Sequence, residues 1–105
     1  MTLSTHILDT ALGMPAKDVR VLLSHQIGTG FVPLAEAKTD EDGRIRWEDD
    51  LERGTYRLVF DVAGYLGPDA FFPEVSVVFQ IAGLRAHYHV PLLLSPYGYS
   101  TYRGS

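Results

Sequence analysis

The chain has no cysteine among its 105 residues. This absence excludes disulfide bonds, thiolate catalysis and zinc sites with cysteine ligands. Basic residues are also few: 9 lysines and arginines stand against 13 acids, without a cluster, so no nucleic-acid partner is expected. No apolar run approaches the roughly 18 residues needed to span a bilayer, so no membrane partner is expected either.

Targeting signals are missing as well. The first residues lack the basic and apolar regions of a signal peptide, and the final Arg-Gly-Ser is not a peroxisomal Ser-Lys-Leu address. These absences favour a cytoplasmic protein. The length and the 46% content of hydrophobic residues are typical of one globular domain, spanning residues 1–105, with a single core.

Short runs of alternating apolar and polar residues predict eight strands. They cover residues 3–9, 19–25, 31–38, 44–47, 55–63, 75–81, 87–94 and 97–103. Asp42 and Gly43 form the strongest turn signal, Pro33 suits an edge strand, and the segment 64–74 predicts one helical turn around residues 70–72. Eight short strands with almost no helix predict an all-β antiparallel sandwich or barrel.

Two of the predicted strands have a mixed second face. In residues 3–9, Ser4, His6 and Leu8 point away from the predicted core, and in residues 87–94 the corresponding side chains are His87, His89, Pro91 and Leu93. Imidazoles beside apolar residues indicate that something other than bulk water covers this face. The pattern does not explain Pro91, which removes a hydrogen bond from the middle of a strand.

The residues that could carry chemistry are His6, His89, Arg44 and the last four residues. Each also has an ordinary structural interpretation. A lone His6 is more often a half-exposed strand residue, and Arg44 could be a solvated turn arginine paired with an acid of the preceding turn, Asp40 or Asp42. Tyr102 and Arg103 could belong to a terminal strand that closes a sheet. His87 is expected at the rim of the face, and His25 in solvent.

Three separated motifs resemble those of one enzyme family. They are Leu-Ser-Thr-His-Ile-Leu-Asp at 3–9, Thr-Asp-Glu-Asp-Gly-Arg at 39–44 and the terminal Tyr-Arg-Gly-Ser at 102–105. Their order along the chain resembles that of the 5-hydroxyisourate hydrolases, transthyretin-like enzymes of urate degradation. The resemblance implies a transthyretin-like (prealbumin-like) sandwich of two four-stranded sheets with one short helix. It also implies a homotetramer, a dimer of dimers with its sites in the channel between dimers.

The resemblance further implies hydrolysis of 5-hydroxyisourate to 2-oxo-4-hydroxy-4-carboxy-5-ureidoimidazoline, without metal or cofactor. On the family pattern His6, Arg44 and His89 are catalytic, and the residues lining the substrate site are Tyr102, Arg103, Gly104 and Ser105. The two histidines are then expected to activate or position water, while Arg44 anchors the substrate. A partly buried imidazole near a guanidinium is expected to stay neutral near pH 7. Which histidine is the base stays open.

Three other interpretations remain. A small-ligand carrier of the transthyretin type could use the same channel, although transthyretin lacks the Tyr-Arg-Gly-Ser end and has other residue types where His6, Arg44 and His89 stand here. Three histidines could form a zinc site, although no carboxylate lies nearby in sequence to support it. An accessory sandwich module would need no histidine face and would be monomeric.

Overall fold

Nine strands and one short helix make up the computed structural model, which describes residues 1–105. In chain order the elements are β1 (Thr2–Asp9), β2 (Met14–Pro15), β3 (Arg20–Ile27), β4 (Gly30–Lys38), β5 (Arg44–Trp47), β6 (Gly54–Asp61), α1 (Val62–Leu66), β7 (Glu74–Ile81), β8 (His87–Ser95) and β9 (Gly98–Thr101). The helix has five residues, and the chain contains no helix long and apolar enough to cross a membrane.

The strands form two sheets, as the family resemblance implies. One sheet has the order β4-β3-β6-β7, and the other has the order β2-β1-β8-β9 with β5 also paired to β1. Every pair is antiparallel except β1 with β8, which is parallel. A cluster of 19 buried apolar residues, contributed by both sheets, forms the core. The predicted all-β sandwich is therefore confirmed, and β4, which carries Pro33, lies at a sheet edge as expected.

The expectation of four strands in each sheet is wrong for one sheet. The strand β5 pairs only with residues Leu3 to His6 of the eight-residue β1. Leu8 and Asp9 are left free, and they pair instead with Pro15 and Met14 of β2. The sequence predicts only a connection here, because a two-residue strand is too short to show alternation.

The helix also lies earlier than predicted. It occupies Val62–Leu66, where the strand pattern predicts a continuation to residue 63, and not residues 70–72. The Asp61 side chain accepts a hydrogen bond from the backbone N–H of Gly64, so Asp61 acts as an N-cap and ends β6. Phe71 is 66% exposed and does not pack on the sheet. The rings of Phe72 and Tyr99 meet edge to face, with their centroids 5.3 Å apart.

Four central strands bury their alternating apolar residues, as the period-two pattern predicts. Their buried members are Leu3, Thr5 and Ile7 in β1, Val21 and Leu23 in β3, Tyr56, Leu58 and Phe60 in β6, and Tyr88, Val90, Leu92 and Leu94 in β8. The prediction for His25 is wrong. Its ring is half-buried and stacks on the ring of Tyr56 with the centroids 4.6 Å apart, because the two residues are direct cross-strand partners.

Pro91 lies where the pairing of β8 with β9 is interrupted. The ladder covers Leu92 to Ser95, and pairing resumes only at an isolated bridge between His89 and Gly104. The carbonyl of Pro91 accepts a hydrogen bond from the Thr101 hydroxyl at 2.7 Å. The missing N–H of proline therefore falls beside a gap in the ladder, which explains how a central strand tolerates it.

Gly43 connects the acidic turn to β1. Its φ is +73°, and its carbonyl accepts a hydrogen bond of 2.8 Å from the N–H of Ile7. A Cβ atom at this position would lie 2.5 Å from the carbonyl oxygen of Ile7. Both the backbone conformation and the close approach therefore require glycine, and both determine where Arg44 begins the next strand.

We expect Gly43→Ala to destabilise the protein more than Gly13→Ala. Both glycines have left-handed φ values, +73° and +66°, but a Cβ at Gly13 would meet nothing within 4 Å. Each substitution carries the backbone penalty of about 1–2 kcal/mol, and only Gly43→Ala adds a clash with backbone atoms. Urea denaturation followed by circular dichroism measures the difference, and equal losses would contradict a close-packed role for Gly43.

Candidate active site

The strand β1 lies at the centre of the candidate site. His6 is directly opposite Arg44 of β5 and, on its other side, directly opposite Pro91 of β8. His89 precedes Pro91 by two residues, so it shares the same face and lies opposite Ser4. Neighbouring strands are roughly 4.7–4.9 Å apart. The structure thus brings together the three residues for which the sequence predicts catalytic roles.

The face that carries these residues is partly apolar and open. His6 and His89 are half-buried, Arg44 is exposed, and the half-buried side chains of Leu8 and Leu93 border them. A cavity of about 280 Å³ is lined in part by Leu93 and extends along β9, and two other cavities lie away from this face. One of about 380 Å³ is bounded by the start of β6 and the end of β7, and one of about 250 Å³ lies between β7 and the end of β9.

His89 is held by contacts on two sides. Its Nδ1 atom is 2.7 Å from the Ser4 hydroxyl, and its Nε2 atom has no partner within the chain. Gly104 packs against the ring so closely that a Cβ atom there would lie 2.5 Å from Cδ2 of His89. The N–H of Gly104 also donates to the carbonyl of His89 at 2.8 Å. The ring is therefore oriented with one nitrogen free.

Burial lowers the pKa of His89 below the usual value of 6.5, and electrostatic repulsion by the protonated forms of His6 and His87 and by Arg44 lowers it further. Both influences disfavour the imidazolium form. His89 consequently stays neutral to a lower pH than an ordinary histidine. A neutral ring with a free Nε2 can accept a proton from water near pH 7.

The guanidinium of Arg44 is not engaged by the preceding turn. The chain has four ion pairs, and none includes Arg44. Instead, Asp40 accepts hydrogen bonds from the backbone N–H groups of Arg44 and Asp42, at 2.9 Å each. The interpretation of Arg44 as a turn arginine paired with these acids is therefore wrong, and its planar donors are free for a ligand. Arg46, the next residue on this face, pairs with Glu48 at 3.4 Å.

The last four residues have different surroundings. Gly104 is buried against His89, and the Nη1 atom of Arg85 donates to its carbonyl at 3.3 Å. Tyr102 and Arg103 are exposed and border the cavity between β7 and β9, and Ser105 is exposed. Within one chain, Gly104 is thus the member of this tetrapeptide that contacts a predicted catalytic residue.

The sequence pattern indicates no role for Ser4 and predicts His87 only at the rim of the face. The Ser4 hydroxyl lies 2.7 Å from Nδ1 of His89 and 2.8 Å from Nε2 of His87, so it links the two rings. The spacing of two residues between Ser4 and His6 indicates a shared face, but only the register between β1 and β8 reveals the contacts. No group of three or more His, Cys, Asp or Glu side chains is arranged to hold a metal ion.

Known proteins resemble this chain over nearly its whole length. A 5-hydroxyisourate hydrolase of Salmonella dublin is 49% identical over 109 residues, covering 98% of this chain and 80% of that protein. The structure of Klebsiella pneumoniae 5-hydroxyisourate hydrolase superposes with a TM-score of 0.86 at 37% identity and covers 100% of both chains. Sea bream transthyretin in complex with thyroxine gives a TM-score of 0.88 at 33% identity, covering 97% of this chain and 93% of its own.

The sequence profile of the HIUase/Transthyretin family matches residues 3–104, so it includes all nine strands apart from the first residue of β1. The profile match also takes in the face formed by His6, Arg44 and His89. With this profile match and the 49% identity to a relative, the chain belongs to the HIUase/Transthyretin family.

Proposed function

We propose that this protein hydrolyses 5-hydroxyisourate to 2-oxo-4-hydroxy-4-carboxy-5-ureidoimidazoline, a step of urate degradation. The main support is the single face on which His6, Arg44 and His89 meet, in a chain 49% identical to a 5-hydroxyisourate hydrolase. Imidazole and guanidinium groups suffice to open a cyclic amide, because the reaction needs a base, a donor for developing oxyanion charge and a proton for the leaving nitrogen.

In the mechanism that we propose, His89 is the general base. Its free Nε2 atom takes a proton from a water molecule as the water oxygen attacks the ring carbonyl carbon. Arg44 donates to the carbonyl oxygen as negative charge develops there. His6, which lies directly opposite Arg44 in register, holds the substrate ring in place. The amide C–N bond then breaks, and the leaving nitrogen takes the proton back from His89.

The last four residues complete the substrate site in this proposal. Gly104 holds the His89 ring by close packing. Tyr102, Arg103 and Ser105 are exposed polar residues that follow directly from the edge strand β9, so they are free to contact substrate once the face is covered. The reaction so described uses only side chains of the protein, and we propose that it proceeds without a cofactor.

We also infer that another subunit covers this face and that the protein is a cytoplasmic homotetramer, a dimer of dimers. An open sheet face would leave the imidazoles in bulk water, whereas the bordering residues Leu8 and Leu93 are apolar. Leu12 and Met14, which follow β1, expose 67% and 58% of their surfaces. Exposed apolar residues beside a polar site are typical of a surface that binds another subunit.

A small-ligand carrier is the second candidate function. The fold resembles sea bream transthyretin in complex with thyroxine as closely as it resembles the hydrolase structure, with TM-scores of 0.88 and 0.86. Fold similarity alone therefore does not separate the two functions. Catalysis separates them: a carrier would bind thyroxine and leave the spontaneous decay of hydroxyisourate unchanged.

We expect His6→Ala, Arg44→Ala and His89→Ala each to lower kcat/KM by at least about 100-fold, because each removes a proton-transfer group or an oxyanion donor. Rapid ultraviolet monitoring of freshly prepared 5-hydroxyisourate measures the rates, and circular dichroism checks the fold. His25→Ala is the matched control, because His25 lies in the other sheet. Near-normal rates for His89→Ala would refute the assignment of the base.

The acid limb of the kcat/KM profile should lie below pH 6.5, because the lowered pKa of His89 keeps the base neutral to lower pH and activity is lost only as it protonates.

Arg44→Gln removes a neighbouring positive charge and should raise the pKa of His89 in an NMR titration. Arg20→Gln, which changes an exposed arginine of the other sheet, is the control. A pKa that is unchanged or lower in Arg44→Gln would contradict this electrostatic account.

Light scattering after gel filtration should give four times the chain mass of 11.7 kDa. Leu93→Glu places a charge on the proposed subunit contact, so it should shift the mass downwards and reduce activity in parallel, whereas Leu93→Met should change neither. A monomer with full activity would refute the assembly and would favour a site that one chain completes alone.

A further inference from the structure

Four polar side chains form a continuous hydrogen-bonded row beside the candidate site. The Thr2 hydroxyl lies 2.6 Å from Nδ1 of His87, Nε2 of His87 lies 2.8 Å from the Ser4 hydroxyl, and the same hydroxyl lies 2.7 Å from Nδ1 of His89. Strand register explains the row, because Thr2 is the direct partner of His87, and Ser4 that of His89. Both ring nitrogens of His87 are occupied, and the row ends at His89.

The row has two consistent orientations, because a hydroxyl carries one proton and a neutral imidazole has one donor and one acceptor. In the first, Nδ1–H of His89 donates to Ser4, the Ser4 hydroxyl donates to Nε2 of His87, and Nδ1–H of His87 donates to Thr2. In the second, every donor is reversed. The first orientation leaves a lone pair on Nε2 of His89, and the second leaves a proton there.

We propose that Ser4 and His87 are positioning residues that relay protons to and from His89, so that this ring alternates between base and acid without remaining an imidazolium. This inference rests on the proposed function. When Nε2 of His89 accepts a proton from water, its Nδ1 proton passes to Ser4, the Ser4 proton passes to His87, and the Nδ1 proton of His87 passes to Thr2. The half-buried Thr2 hydroxyl releases its own proton to solvent, so one proton enters and one leaves. The reverse sequence supplies the leaving nitrogen.

The surroundings of the row explain why such a relay is useful. Burial, and then electrostatic repulsion by the protonated forms of His6 and His87 and by Arg44, lower the pKa of His89. Burial, and then the charge of Arg46, lower the pKa of His87. Two neutral rings are therefore favoured over one charged ring. The relay permits His89 to change the proton on Nε2 while each ring stays neutral before and after the transfer.

The opposite side of His89 is also fixed. Gly104 packs against the ring edge at Cδ2, and a Cβ atom there would lie 2.5 Å from it. Because Cδ2 adjoins Nε2, this contact opposes rotation of the ring away from Ser4. The Nδ1 atom therefore stays directed at the row, while Nε2 remains the nitrogen available to substrate and water.

Three variants test the relay. Ser4→Ala removes the link, Ser4→Thr keeps a hydroxyl, and His87→Gln keeps an amide that can bond to Ser4 but cannot pass a proton through. We expect Ser4→Ala and His87→Gln to lower kcat about 10-fold or more with little change in KM, and Ser4→Thr to restore kcat. Wild-type kcat in His87→Gln would overturn the relay, because a purely structural role would survive that change.

A second readout needs no substrate. Long-range ¹H–¹⁵N NMR reports which nitrogen of His89 carries the proton, with the resonances assigned from the spectrum of His89→Gln. We expect Ser4→Ala to shift the wild-type tautomer balance and Ser4→Thr to retain it. Unchanged ring-nitrogen shifts in Ser4→Ala would overturn the proposal even if activity fell. A shifted balance in a protein that does not accelerate hydroxyisourate decay would refute the proposed function and support the row as a determinant of the His89 tautomer.

Discussion

The register of β1 against its two neighbours determines the position of every polar group on the candidate face. Side chains alternate along a strand, so a shift of one residue would bury Ser4 and His6 and expose Leu3 and Ile7. The fully buried Leu3 and Ile7 oppose such a shift, since their transfer to water would cost several kcal/mol in total. The apolar contacts that stabilise the sandwich therefore also align the histidines with Arg44.

Much of this arrangement could be predicted from local sequence. Alternation with period two separates Tyr88 and Val90 from His87 and His89, and the structure buries the first pair in the core. The Asp-Gly pair correctly predicts the turn before Arg44, since the left-handed conformation at Gly43 favours glycine. Where a strand is long enough for two or more full alternations of apolar and polar residues, the sequence alone predicts which of its faces is buried, without knowledge of its partner strands.

The remaining features depend on distance along the chain or on very short elements. The contacts of Ser4 with His87 and His89 join residues 83 and 85 positions apart, and no local pattern encodes such a pairing. The helix at Val62–Leu66 has little more than one turn, which is too short to show a helical period. The gap in pairing beside Pro91 likewise depends on the position of β9. From the sequence alone, the proline only indicates a missing hydrogen bond in the strand.

The parallel pairing of β1 with β8 has a consequence for how the molecule folds. The Thr5 hydroxyl donates to the carbonyl of Val90 across 85 positions, so this pair of strands joins the two ends of the domain. Contacts of such long range form slowly, because closing the loop between them costs entropy before any contact compensates. Newly made chains should thus remain inactive until β1 and β8 pair. During that interval the apolar side of β1 is exposed to solvent and can promote aggregation.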